Sequence, residues 1–308
     1  MTAVFDTVGL TLRKVGDAGL PAGRFVELPG RGRTFAFEAG PPGEPDDVPT
    51  LMLVHGLVAN AYLNWFPALP RLGERYRVVA MDLRGHGRGI RLRGRFRLED
   101  CADDVVALAD ALGIRRFVPV GYSLGGPIAQ LVWRRHRERV SGLVLAATSR
   151  NFGGTVHERS FFRLLPGIVT AIRLARRGGS DAADAETFEP FGDDGYLSRW
   201  ALAELAHNSP QVMFQAMNVM GRYDSSDWVR EIDVPTAVVI TTKDRLVSPV
   251  RQLKLARAID GATVHPASAG HAACVIGRRW FVPALVEACE SVAARLAAGA
   301  EAAAAESA

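Results

Sequence analysis

A mostly parallel α/β sheet of eight strands, with helices on both faces and a helical cap inserted late in the chain, is the fold this sequence predicts. Three observations carry it. Short apolar runs such as Leu51–Val54 alternate with stretches of helical spacing, the pattern of βα units. A serine flanked by glycines, in Gly121-Tyr-Ser-Leu-Gly125, joins an apolar strand run to a helix. The alternation stops between Asn151 and Glu231, where helical stretches follow one another, and resumes at Pro235.

Taken in order, residues 1–23 carry little pattern and read as a lead-in. Arg24–Leu28 and Thr34–Glu38 alternate around a Pro-Gly-rich turn and suit two antiparallel strands. After a proline-rich connector, Leu51–Val54 is continuously apolar, as a strand covered on both faces should be. Ala61–Leu72 has helical spacing and Tyr76–Met81 is strand-like. Leu98–Leu112 reads as a helix with Asp100, Asp103 and Asp104 near its start, where carboxylates suit the dipole. The strand and helix around Ser123 follow, then strand Val140–Ala147. Beyond the cap come strand Pro235–Thr241, helix Pro249–Ile259, a short strand Ala262–His265 and helix Val275 to about Leu296. The expected organisation is therefore a core of residues 1–150 and 232–298, a cap of residues 151–231, and an alanine-rich tail, residues 299–308, expected to be disordered.

Composition narrows the function classes. The 308 residues carry a modest net charge of +4 and contain no apolar run near the roughly 20 residues of a membrane span. With no secretory leader pattern, a cytoplasmic location is expected. Three cysteines without C-x-x-C spacing argue against a disulfide framework or a zinc site. Arg84, Arg88, Arg91, Arg93, Arg95 and Arg97 cluster with no acid between them, which suits a solvated loop or a weak contact with an anionic lipid surface. No aromatic platform or nucleic-acid motif accompanies them, so nucleic acid is not an expected partner.

The chemistry converges on Ser123. Glycines two residues to either side remove the Cβ atoms that would block a sharp strand-to-helix turn, leaving the serine at its tip. A serine hydroxyl needs a base, and the base an orienting acid. Asp244 follows a strand's carboxyl end, where catalytic groups collect in open α/β sheets, and His271 lies in a small-residue loop after the last strand. Asp244 pairing with Lys243 or Arg245 on the surface is the competing reading. The Leu124 amide, at a helix start, suits a developing negative charge, and Leu57 follows a glycine that lets backbone approach.

From about Arg24 to Leu296 the chain resembles the α/β-hydrolase fold family, in its lipase, esterase and haloperoxidase-like branch. The resemblance rests on His55-Gly56, Asp82-Leu-Arg-Gly-His-Gly87, Gly121-Tyr-Ser-Leu-Gly-Gly126, Lys243-Asp244 and Gly270-His271. It implies Ser123 as nucleophile, His271 as general base and acid, Asp244 as the residue holding its tautomer, and an oxyanion hole from the amides of Leu57 and Leu124. The implied reaction is hydrolysis of a small-molecule carboxylic ester through an acyl-enzyme, with no metal or cofactor. Acyl transfer to another acceptor, thioester, lactone or carbon-carbon cleavage and peracid formation share the same triad. A ligand-binding protein without turnover is the non-enzymatic alternative.

Met213, Met217 and Met220 share a helical face in the cap and, with Tyr122 and Phe161, are candidate substrate contacts for an apolar acyl or alkyl group. Packing of that face against the core is the competing reading.

Overall fold

The computed structural model describes residues 14–15, 20–41, 48–153 and 199–306. Strands β3 (Gly23–Leu28), β4 (Gly32–Ala39), β5 (Leu51–Val54), β6 (Val78–Met81), β7 (Val118–Tyr122), β8 (Leu143–Ala146), β9 (Thr236–Thr241) and β10 (Thr263–Ala267) form one eight-stranded sheet. Its order is β10-β9-β8-β7-β5-β6-β4-β3, parallel throughout except at β4, which is antiparallel to both β3 and β6. The chain goes outward from β5 to β6 on one side and to β7 on the other, so the strand order reverses at β5. The crevice above the carboxyl ends of β5 and β7 is where such a sheet receives a ligand.

The continuous apolar runs are explained by cover on both faces. Met52 and Val54 of β5 enter one core while Leu51 and Leu53 enter the other, the period of two that a strand dictates. The first core is closed by helices α3 (Leu98–Ala111), α4 (Gly125–Arg135) and α7 (Pro249–Ala258). The second is closed by α1 (Ala61–Trp65), α2 (Leu69–Gly73) and α8 (Arg278–Glu306).

Several elements differ from the sequence reading. In the lead-in, β1 (Lys14–Val15) pairs with β2 (Leu20–Pro21). The stretch 61–72 is two short helices, because Pro67 lacks the amide hydrogen a continuous helix requires. The last strand continues through Pro266 to Ala267, which the sheet accepts because β10 is an edge. Helix α8 continues to Glu306, so residues 299–306 of the expected disordered tail are helical, as the best helix-forming residue, alanine, favours.

The arginine cluster is not one solvated surface. Arg84 makes two hydrogen bonds to the buried Asp104, at 2.6 and 2.7 Å. Arg88 reaches the buried Asp82 and Glu204 while its guanidinium lies 4.3 Å from the centre of the Phe35 ring. Arg91, Arg93 and Arg95 are exposed. Asp103, expected to serve the helix dipole, pairs instead with Arg135 and with His136. No helix among the described residues is long and apolar enough to cross a membrane.

The described part of the segment between β8 and β9 contains α5 (Arg199–Ala206) and α6 (Pro210–Arg222). Val212, Met213, Ala216 and Met220 of α6 are buried in the same core as α3, while Phe214 on the other side is 54% exposed.

Candidate active site

Ser123 stands where β7 turns into α4, with φ of +52°, a left-handed conformation that a non-glycine residue holds only under constraint. Three hydrogen bonds supply the constraint. Its amide donates to the Ala146 carbonyl at 2.9 Å, and its carbonyl accepts from the Gly126 amide at 2.9 Å and the Thr148 hydroxyl at 2.8 Å. The glycines are sterically required: a Cβ at Gly121 would lie 2.3 Å from the Gly125 carbonyl oxygen, and one at Gly125 would lie 2.0 Å from that of Val54.

The turn aims the serine at His271. Ser123 Oγ lies 2.8 Å from His271 Nε2, and His271 Nδ1 lies 2.8 Å from Asp244 Oδ2. An ionised carboxylate can only accept, so the proton sits on Nδ1 and Nε2 is left to accept the serine hydroxyl. Asp244 is held by its own loop: Oδ1 accepts from the amides of Leu246 and Val247 at 2.8 and 2.9 Å, and Oδ2 accepts from the Thr241 hydroxyl at 2.8 Å. Burial alone would raise its pKa. The hydrogen bond and charge of His271, the Val247 amide and the Thr241 hydroxyl outweigh burial and hold it below the usual carboxylate value. Neither Lys243 nor Arg245 pairs with it among the described residues.

The loop after β5 completes the arrangement. A Cβ on Gly56 would sit 3.4 Å from Ser123 Cβ, so this residue packs directly beside the serine. The Gly56 carbonyl accepts from His55 Nδ1 at 2.8 Å, and His55 Nε2 in turn accepts from the Leu83 amide at 2.9 Å. Burial lowers the His55 pKa to about 4, so the ring is neutral with one N–H, consistent with those two roles. In a trans peptide the N–H points opposite to the C=O. Tying the Gly56 oxygen to His55 therefore turns the Leu57 amide away from it. The amides of Leu57 and Leu124 donate to no acceptor among the described residues, and Leu124 precedes α4, where the helix dipole is positive.

The remaining sequence candidates separate. Tyr122 does not line a pocket: it is buried between Trp65 and Phe281, and its hydroxyl donates to the His271 carbonyl at 2.5 Å. Alternation along β7 sends it to the opposite face from its neighbours, so it supports the histidine loop from below. Met213 and Met220 are fully committed to packing, the competing reading of that helix face, while Met217 is buried outside both cores. Phe161 lies outside the described residues. Sequence reasoning missed Thr148, Thr241 and Gln252. Gln252 bonds the Thr241 hydroxyl at 2.8 Å and Asp244 Oδ2 at 3.3 Å, and only its position eight residues after Asp244 on a following helix hinted at the contact.

Fold and site together place the chain in the alpha/beta hydrolase fold family, whose model matches residues 49–277. The relatives are consistent with that membership. The chain is 30% identical to pimeloyl-[acyl-carrier protein] methyl ester esterase of Neisseria meningitidis serogroup B (strain MC58), over 71% of this chain and 83% of that one. Among solved structures, a bromoperoxidase from Bacillus anthracis superposes with a TM-score of 0.70 at 16% identity, covering 87% of this chain and 100% of that one. The enol-lactonase of Burkholderia xenovorans LB400 superposes with a TM-score of 0.67 at 23% identity, covering 86% and 98%. At these identities the two structures establish a shared fold.

Proposed function

We propose that the protein is a serine hydrolase that cleaves carboxylic esters through an acyl-enzyme. The observation that carries this reading is the unbroken chain Ser123 Oγ, His271 Nε2, His271 Nδ1, Asp244 Oδ2, with both links at 2.8 Å and the serine on a constrained left-handed turn. Ser123 attacks the ester carbonyl carbon as its proton passes to His271. The carbonyl π electrons move onto oxygen, and the amides of Leu57 and Leu124 receive the oxyanion. Collapse breaks the bond to the alcohol, which leaves with the proton from His271. Water then repeats the sequence on the acyl-enzyme and releases the acid. Throughout, Asp244 keeps the imidazole in one tautomer and balances its transient charge.

An ester substrate is favoured by the methyl ester esterase among the relatives, and serine is one of the residue types that serve as nucleophile in acyl transfer. The test is labelling with a fluorophosphonate together with a panel of esters, thioesters and lactones of increasing acyl length. Labelling and ester turnover that both vanish in Ser123→Ala support the reading. A folded wild type that neither labels nor hydrolyses any member of the panel refutes it and favours a ligand-binding protein. Turnover indifferent to acyl length would refute the preference for an apolar acyl group.

A further inference from the structure

The loop that carries Leu57 is gripped from above by residues that belong to neither the triad nor the core sheet. Val58, next to Leu57, has φ of +69°. A β-branched side chain disfavours that region strongly, so the turn persists only if something outside it fixes the backbone. The external partner is Asn208, just after α5 and fully buried. Its Nδ2 donates to the Val58 carbonyl at 2.5 Å and to the Leu205 carbonyl at 3.2 Å, and its Oδ1 accepts from the Gly87 amide at 3.0 Å. The partners leave no ambiguity about the amide's orientation, since carbonyls only accept and the Gly87 N–H only donates. Four residues earlier, Glu204 takes a hydrogen bond from Asn60 Nδ2 and another from Arg88 at 2.8 Å. Asn60 Oδ1 meanwhile caps α1 through the Leu63 amide at 2.8 Å. Both ends of the turn 58–60 are thus tied to residues 204–208, far away in sequence.

Resting on the acyl-transfer reading above, we propose that Asn208 is a positioning residue for it: anchored on Gly87, it holds the Val58 carbonyl, and so keeps Val58 left-handed and the Leu57 amide directed at the oxyanion. The segment inserted between β8 and β9 therefore completes the site even with no contact to substrate. Returning Val58 to an ordinary negative φ rotates the backbone before it, pulls the Gly56–Leu57 peptide against its hydrogen bond to His55, and swings the Leu57 amide off its line. Substrate binding, which precedes the charge, would be affected far less than the chemical step.

The test is Asn208→Asp, which keeps the shape and the acceptor for Gly87 but sets a carboxylate oxygen against the Val58 and Leu205 carbonyls, with Asn208→Ala beside it. Turnover of a short acetate ester is measured per active site, titrated with a fluorophosphonate, alongside inhibition by a trifluoromethyl ketone, whose serine adduct carries an oxyanion. Loss of one oxyanion donor predicts kcat lower by about 100-fold or more, KM changed by less than about 3-fold, and ketone affinity weakened in parallel with kcat/KM. Unchanged kcat per titrated site, with only thermal stability reduced, overturns the proposal in favour of a structural role. So does failure of both variants to fold. A wild type without ester turnover, or turnover that survives Ser123→Ala, would instead refute the acyl-transfer reading itself.

Discussion

Asp244 Oδ2 receives two protons' worth of hydrogen bonding at 2.8 Å, from His271 Nδ1 and from the Thr241 hydroxyl, while Oδ1 takes the amides of Leu246 and Val247. The carboxylate is therefore locked in orientation before any substrate arrives. In Asp244→Asn the two loop amides would keep the oxygen on their side and turn the new NH₂ toward His271. The imidazole would then carry its proton on Nε2, facing Ser123, where it cannot accept. The expected kcat is lower by about 10⁴-fold, with KM little changed, as when a tautomer is inverted in a Ser-His-Asp site. Steady-state kinetics on one ester checks it, and activity above about one tenth of wild type would contradict the assigned role.

Gly125 tests the turn rather than the chemistry. A methyl group there would meet the Val54 carbonyl oxygen at 2.0 Å and that of His55 at 3.0 Å, both backbone atoms that no rotamer change can move. Gly125→Ala must push α4 away from β5, separating Ser123 from the Leu57 loop. Loss of more than about 3 kcal/mol of stability is expected, within the range of severe overpacking. Gly221→Ala, on α6 where a Cβ meets nothing within 4 Å, is the matched control and should be neutral or stabilising by up to about 1 kcal/mol, since alanine favours the helix. Thermal unfolding of the two variants decides the point.

How much of this was legible in the sequence depended on whether the signal was local. The turn at Ser123 declares itself because its requirement for glycine acts within two residues, and the strands because cover on both faces leaves runs such as Leu51–Val54 wholly apolar. Asp244 and His271 could be placed by their positions after strands. What stayed hidden were contacts whose partners lie far apart. Arg88 reads as one of a row of loop cations, yet it joins Asp82 to Glu204. Asn208 looks like an ordinary residue between two helices, and its contact with Val58 spans 150 positions. The methionine face of α6 illustrates a third case: periodicity revealed that Met213, Met217 and Met220 share a side, but not which surface that side would meet.

Tyr122 separates a supporting role from a binding one. Its hydroxyl donates to the His271 carbonyl from within the core, and burial raises its pKa well above the ordinary value, so it remains a neutral donor. Tyr122→Phe removes one hydrogen bond and should lower stability by about 1 kcal/mol. The histidine loop would lose a tether, so kcat should fall a few-fold while KM for esters of different acyl length moves little. A KM change that grew with acyl length would mean that Tyr122 touches substrate after all.

The two buried histidines near the Leu57 loop make stability depend on pH. His86 is fully buried, its ring 5.3 Å from that of His55, and its Nε2 has no hydrogen-bond partner among the described residues. Burial, and then the charge of His55, lower its pKa from 6.5 to about 3 against the opposing bond to the Arg84 carbonyl. The unfolded chain thus takes up a proton at this position below about pH 6.5 that the folded chain refuses until about pH 3. More protons bound by the unfolded state means that stability rises with pH, so this contribution is complete above pH 6.5 and drains away as pH falls toward 3. Its slope is at most about 1.4 kcal/mol per pH unit. His86→Asn deletes the titrating group, so the gap in Tm between wild type and variant should narrow steadily from pH 7 to pH 4.5. The comparison cancels the opposing contribution of Asp82, whose carboxyl burial raises despite Arg88. A gap that stays constant over that range would show that His86 does not titrate differently in the folded and unfolded chains.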